Sequence, residues 1–362
     1  MSMTRPSLIN FLAVKTAEFI SLKASIALLN NPNRPTQQSE KNTPSLPLDS
    51  IRMLRSHEFR IELIGKGLNQ EVVYKKILDS DSFGHFKFKI SRNEETAKIH
   101  SFEVFETSKH PGVKIYLGSY LPVILEKPLK IIICDFDKTL VDTRYSSTKD
   151  VYTSLTSPLS SFPTLPASLD LLKEYTDQDY IPFILSASPH FYEASIRDWL
   201  YQNGIYNASI FLKDYRQVFN FLVRDLTPKD LKNQGLYKLN HLLDIILMVG
   251  TPDDIVLIGD NFESDPLIYM VLAEILAKKR EPSYIWNKIK SLKPFMLNNK
   301  QNSNFLSKIY QLQSNMSGVR PHFKVYIRKI LDEKTVNLPE GFESLRPMIK
   351  LYDGTQKSRP GA

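Results

Sequence analysis

The sequence predicts an α/β fold, with a parallel sheet preceded by a smaller antiparallel β unit and an N-terminal helix, and three observations predict it. Short apolar runs at Lys130 to Cys134, Ile181 to Leu185 and Ile255 to Ile258 are separated by helical stretches such as Phe191 to Tyr201 and Leu239 to Met248. That alternation is the signature of βαβ units. Upstream the period drops to two: Phe59, Ile61 and Leu63, then Phe86, Phe88 and Ile90, stand between polar neighbours, as strands with one buried face do. Near the N terminus, Leu8, Leu12, Phe19, Leu22, Ile26 and Leu29 recur at helical spacing.

Taken in order, residues 1–50 are expected to form that amphipathic helix and a polar linker. The apolar face of the helix either docks on the protein's own body or lies in a membrane interface. Residues 30–50 are rich in Asn, Pro, Ser and Thr and hold too few large apolar groups to offset their ordering entropy. Between 51 and 128, turn signals at Gly65 to Asn69, Asp79 to Gly84 and Pro111-Gly112 separate the alternating runs, which predicts a small β-sandwich. The α/β unit follows Pro128 and runs from 129 to 332, leaving 333–362 as a C-terminal tail.

With 362 residues, the chain is long enough for a catalytic domain and at least one smaller unit. Hydrophobic residues make up 42% and charged residues 24%, which is ordinary for a globular protein and excludes wholesale disorder. Lys and Arg outnumber Asp and Glu 47 to 39, and the net charge of +8 favours anionic partners. No block of like charge and no basic stripe interleaved with aromatics occurs, so nucleic acid is not expected. The single cysteine, Cys134, cannot form an intramolecular disulfide, which fits a reducing, cytoplasmic location. Lys15, Glu18 and Lys23 interrupt the first apolar segment, so neither a secretory signal nor a membrane span is expected.

The chemistry-bearing residues stand where three apolar runs end. Asp135 follows the run KIIIC, at the strand end where an open α/β sheet forms its ligand crevice, and Asp137 can face the same crevice. A phosphate monoester is a poor electrophile. A carboxylate nucleophile, a second carboxyl to protonate the leaving alkoxide and a cation to neutralise the oxygens would together overcome that. Asp135, Asp137 and bound Mg²⁺ would supply those three parts. Ser186 ends the run IPFIL and offers a hydroxyl and nearby backbone N–H groups to a phosphoryl oxygen. Lys238 precedes the helix LNHLLDIIL and could balance the charge of nucleophile and phosphoryl group. Asp260 and Asp265 close the stretch DDIVLIGDNFESD as hard oxygen ligands suited to Mg²⁺.

This ordered set of Asp135-x-Asp137-x-Thr139, Ser186, Lys238 and Gly259-Asp260-x4-Asp265 resembles the haloacid dehalogenase superfamily. The stretches FPTLPASLDLL, LSASPHFYEASIRDWL and LIGDNFESDPLIY narrow the likeness to the actin-patch type phosphatidate phosphatase family. FKVYIRKI at 323 to 330 is similar to that family's next strand, which makes residues of about 280–320 an insertion. The sequence departs from the family at two places: Lys138 stands where a second acid is usual, and His190 where an aromatic is usual.

The resemblance implies a Rossmann-like parallel sheet and Mg²⁺-dependent hydrolysis of phosphatidate, or a related lipid phosphomonoester, through an aspartyl-phosphate. In that scheme Asp135 is the nucleophile and Asp137 the acid and then the base. Asp135, Asp260 and the main-chain carbonyl of Asp137 hold the metal, Asp265 orients this shell or ligates directly, and Thr139, Ser186 and Lys238 hold the phosphoryl oxygens. Neither gap between these motifs clearly holds a large cap domain, although Phe211 to Gln234 leaves room for a lid. An uncapped crevice suits a bulky lipid and leaves peripheral membrane contact open. The competing expectations are a phosphatase of a soluble phosphomonoester, such as a sugar phosphate, nucleotide or phosphoprotein, and a catalytically silent phosphate-binding adaptor.

Overall fold

A computed structural model describes residues 4–30, 57–108, 112–143, 159–189, 192–213, 234–262, 264–295, 299–316, 320–329, 336 and 338–354. The expected polar linker, His190 and most of the expected lid segment lie outside the described residues.

The N-terminal segment is a β-hairpin rather than a helix. Strands β1 (Thr4–Lys15) and β2 (Phe19–Asn30) pair antiparallel. At the turn, Thr16 Oγ1 accepts the backbone N–H groups of Glu18 and Phe19 at 3.2 and 3.0 Å, a local bond that favours a turn over a helix. The leucines do fall at helical spacing, but the β2 residues buried in the sandwich core are Ile20, Leu22, Ala24 and Ile26, every second residue of the strand. Pairing with other strands decides between two periods that the same segment satisfies. With the helix goes its membrane-interface reading.

The hairpin completes a sandwich. Strands β3 (Arg60–Lys66), β4 (Val72–Asp79), β5 (His85–Ser91), β6 (Ser101–Glu106), β7 (Ile115–Tyr120) and β8 (Val123–Ile124), with the short helix α1 (Glu94–Ala97), form the rest. One sheet has the order β5-β2-β1-β8 and the other β4-β3-β6-β7. Ile20, Leu22 and Ile26 of the first meet Ile61, Leu63, Phe102 and Val104 of the second in one core. The β unit therefore starts at residue 4, not at 51.

The α/β unit is a six-stranded parallel sheet of order β11-β10-β9-β12-β13-β14. Its strands are β9 (Lys130–Asp135), β10 (Ile181–Pro189), β11 (Ser209–Lys213), β12 (Asp254–Asp260), β13 (His322–Arg328) and β14 (Ile349–Tyr352). Helices α2 (Pro166–Thr176) and α3 (Glu193–Gln202) cover one face. The other is covered by α4 (Gln234–Val249), α5 (Asp265–Ala277), α6 (Pro282–Ile289) and α7 (Asn299–Asn315). Burial on both sides explains the unbroken apolar runs: Ile131 and Ile133 enter the core beneath α4 and α5, while Ile132 and Cys134 enter the one beneath α2 and α3. Residues 280–320 are largely helical, and Ile285, Trp286, Ile289, Phe305 and Ile309 bury one side of these helices in the main core.

A second correction concerns the C terminus. The stretch expected to be a tail contains β14, which extends the sheet beside β13. Four residues following Pro347 carry too little alternation to signal an edge strand. Between the two units, Asp244 of α4 accepts Lys87 of β5 at 2.9 Å and Lys308 of α7 at 2.7 Å, with Lys23 of β2 at 3.9 Å.

Candidate active site

Strand β9 lies between β10 and β12, so successive connections leave it in opposite directions, and the ends of these strands border a crevice at the topological switch point. Asp135 is the last residue of β9, and the chain turns at once. Phe136 N–H donates to Leu185 O of β10 at 2.8 Å, Lys138 adopts φ of 59°, and Leu140 N–H returns to Phe136 O at 2.9 Å. The left-handed residue bends the loop so that Thr139 faces back, its Oγ1 donating to Asp135 Oδ2 at 3.3 Å.

Asp137 is buried beside Ser186. Ser186 Oγ donates to Asp137 Oδ2 at 2.6 Å, and Thr143 Oγ1 donates to Oδ1 at 3.4 Å. Tyr192, at the start of α3, is buried nearby; burial and the Asp137 carboxylate push its phenol up to about 12. It therefore stays protonated and can act as a donor at neutral pH.

On the opposite side of β9, Lys238 enters from the first turns of α4. Its Nζ lies 2.9 Å from Asp135 Oδ1 and 2.6 Å from Asp265 Oδ1. Asp265 opens α5 and folds over the end of β12, where its Oδ2 accepts the N–H of Asp260 at 3.3 Å. Gly259 makes this approach feasible, because a Cβ there would stand 2.5 Å from Asp265 Oδ2. Asp260 Oδ1 accepts the N–H of Phe262 at 2.6 Å.

Asp135, Asp260 and Asp265 are all buried, and one carboxylate oxygen from each lies within 4.8 Å of the others. A converging set of hard oxygen donors is what Mg²⁺ takes, so these residues fit the expected metal. Among the predicted residues, Asp135, Thr139, Lys238, Asp260 and Asp265 meet on this side. Asp137 and Ser186 pair with each other, and the Asp137 carboxylate is not part of the three-acid cluster.

Sequence reasoning missed Thr143, Tyr192, Tyr237 and Arg328. Tyr237 precedes Lys238, and its hydroxyl donates to the main-chain carbonyl of Ser186, linking α4 to the end of β10. The signal for Tyr237 was its place beside the lysine. Thr143 lies four residues past Thr139, in a stretch with no apolar run to mark it.

No curated protein matches the chain. Among solved structures, the β-glucuronidase of Parabacteroides merdae with glycerol in its active site is 10% identical over 91% of this chain and 35% of that one, with a TM-score of 0.26. A calcium-binding mutant of Bacteroides uniformis β-glucuronidase 2 is 10% identical over 89% and 33%, with a TM-score of 0.25. The chain thus spans about a third of the length of these structures, and at such scores the likeness carries no inference. Residues 130–285 match the family described as phosphatidate phosphatase APP1, catalytic domain. That match runs from β9 into the first half of α6 and includes every residue of the crevice named above except Arg328, so this segment of the chain is similar to that family.

Proposed function

We propose that the crevice hydrolyses phosphatidate, or a related lipid phosphomonoester, to the corresponding alcohol and inorganic phosphate, in a fold of haloacid dehalogenase type. The observation that carries the reading is the meeting of Asp135, Asp260 and Asp265 around one point, with Lys238 bonded to two of them. The family match of residues 130–285 supports the lipid substrate. A net charge of +8 also favours approach to an anionic surface.

In this mechanism an Asp135 carboxylate oxygen attacks phosphorus, and the bond to the leaving oxygen breaks as Asp137 gives that oxygen a proton. Ser186 and Thr143 fix the Asp137 carboxyl for this transfer. The aspartyl-phosphate on Asp135 is then opened by a water whose proton Asp137 takes, releasing inorganic phosphate and restoring both carboxyl groups. Lys238 and Thr139 hold phosphoryl oxygens as charge builds on them, and Ser186 can turn from Asp137 to do the same. Asp135, Asp260, Asp265 and the main-chain carbonyl of Asp137 would hold Mg²⁺, which would supply charge neutralisation at the phosphoryl oxygens.

The test is phosphate release from phosphatidate in mixed micelles beside a generic aryl phosphate, with and without Mg²⁺. The expected result is Mg²⁺-dependent release with a clear preference for phosphatidate. A strong preference for the aryl compound would point to a soluble substrate, and no release from either would leave a phosphate-binding adaptor.

A further inference from the structure

One cation at the crevice takes no part in the mechanism above. Arg328 ends β13 in register with Asp260 at the end of β12, and its carbonyl accepts the N–H of Asn261 at 3.0 Å. Neighbouring strands lie about 4.8 Å apart, so Arg328 stands one strand beyond Asp260 and two beyond Asp135. Its side chain is 9% exposed, yet Nε and Nη2 are shielded from solvent and, among the described residues, donate no hydrogen bond. Asp142, the acid within ion-pair range among the described residues, holds its Oδ1 3.7 Å from Nη2, outside hydrogen-bonding distance.

These two nitrogens share one edge of the guanidinium, the fork that takes both oxygens of a carboxylate or phosphate. The neighbours hold the group in place. The Phe262 ring centre lies 4.8 Å from the guanidinium carbon, and Lys138 Nζ lies 5.9 Å from the same ring. A Cβ at Gly354 would stand 2.5 Å from Arg328 Cδ, so the glycine leaves room for the arginine stem. Burying a guanidinium without satisfying its donors is costly, and a fold that retains one at the edge of a crevice has a use for it in binding.

We propose that Arg328, with Phe262 against its face, forms a subsite for a second oxyanion, a carboxylate or phosphate carried on the leaving group's carbon skeleton. The proposal rests on the phosphomonoesterase reading of the crevice and narrows its substrate class, among the related lipid phosphomonoesters, to those whose alcohol carries a further acid group, which phosphatidate lacks. With its backbone two strand spacings from Asp135 and its stem against Gly354, just past β14, the arginine is placed to take a group other than the phosphoryl group held at Asp135. Phe262 is 46% exposed, so a small shift of its ring can admit a ligand to the shielded edge while one face stays against the guanidinium.

Calorimetry in Mg²⁺ with three probes tests this: glycerol 3-phosphate, 3-phosphoglycerate and glycerol 1,3-bisphosphate. The full chain is expected to bind at least one of the doubly anionic probes about tenfold more tightly than glycerol 3-phosphate. Arg328→Lys should shrink that ratio, Arg328→Met should bring it to one, and both should leave glycerol 3-phosphate affinity unchanged. Phe262→Leu, which keeps the guanidinium but removes the stacked ring, should reduce the ratio partially. Equal affinities in the unaltered protein, a ratio that survives Arg328→Met, or no binding of any probe would overturn the proposal. If phosphatidate is still hydrolysed in the first two cases, the subsite alone is wrong; absence of all turnover would remove the underlying reading as well.

Discussion

Nζ of Lys238 lies 2.9 Å from Oδ1 of Asp135, and both side chains are almost completely buried. An ion pair in that setting does two things at once. It offsets part of the cost of burying the carboxylate, and in the proposed mechanism it places a positive charge where the attacking oxygen and the phosphoryl group close on each other. Lys238→Met should therefore lower both stability, by roughly 3 kcal/mol, and kcat, by about 10²–10³. Chemical denaturation and initial rates measure the two losses separately; an unchanged kcat would remove Lys238 from the chemistry.

Asp137 bonds to Ser186 rather than to the acid cluster, which suits a proton carrier. Asp137→Asn should slow alkyl phosphomonoesters by about 10²–10⁴ and nitrophenyl phosphate far less, because nitrophenolate leaves without a proton. Rates on the two substrate types check this, and an equal loss on both would assign Asp137 a role other than general acid.

Three clustered carboxylates should bind Mg²⁺ in solution. At a concentration 100-fold above its dissociation constant the ion should add about 2.7 kcal/mol of stability, read as a rise in the unfolding midpoint. Asp260→Asn should raise the metal-free midpoint, by relieving carboxylate repulsion, and lose most of the Mg²⁺-induced rise. A chelator should abolish turnover, and added Mg²⁺ should restore it.

Asp244 joins α4 to the β unit. Burial alone would raise its pKa, but Lys23, Lys308 and Lys87 outweigh burial and hold the carboxyl well below the usual carboxylate range. A group depressed in the folded state stabilises it fully above the unfolded value, about 3.9, and loses that contribution as pH falls below it. Asp244→Asn should therefore be markedly less stable at pH 7, and its gap from the unaltered protein should narrow below about pH 4. His241, on the same helix, has an Nδ1 without a hydrogen-bond partner among the described residues, and burial, then the nearby Lys23, lowers its pKa well below the ordinary value. By the same sign rule its contribution fades as pH drops below about 6.5, so His241→Gln should flatten the stability profile between pH 7 and 5. Thermal melts over pH 3–7 test both.

The crevice was legible because its residues sit at the ends of apolar runs, and a run buried on both faces is hard to mistake. Lys130 to Cys134 and Ile255 to Ile258 became adjacent parallel strands, so the acids that follow them were bound to meet. The hairpin at Thr4 to Asn30 was not legible. Leu8, Leu12, Phe19, Leu22 and Ile26 satisfy a helical period while Ile20, Leu22, Ala24 and Ile26 satisfy a strand period, and only the partners β5 and β8 decide. Ile349 to Tyr352 failed for the opposite reason, since four residues at a sheet edge carry almost no period. Arg328 escaped notice because nothing in FKVYIRKI separates a crevice arginine from a solvated one.

The most direct test of the mechanism is phosphate release from phosphatidate micelles by Asp135→Asn in saturating Mg²⁺. The substitution keeps the side chain's shape and removes the attacking carboxylate. Turnover should fall by about four powers of ten, with the folded state intact by circular dichroism. A rate within a few-fold of the unaltered enzyme would contradict attack by Asp135.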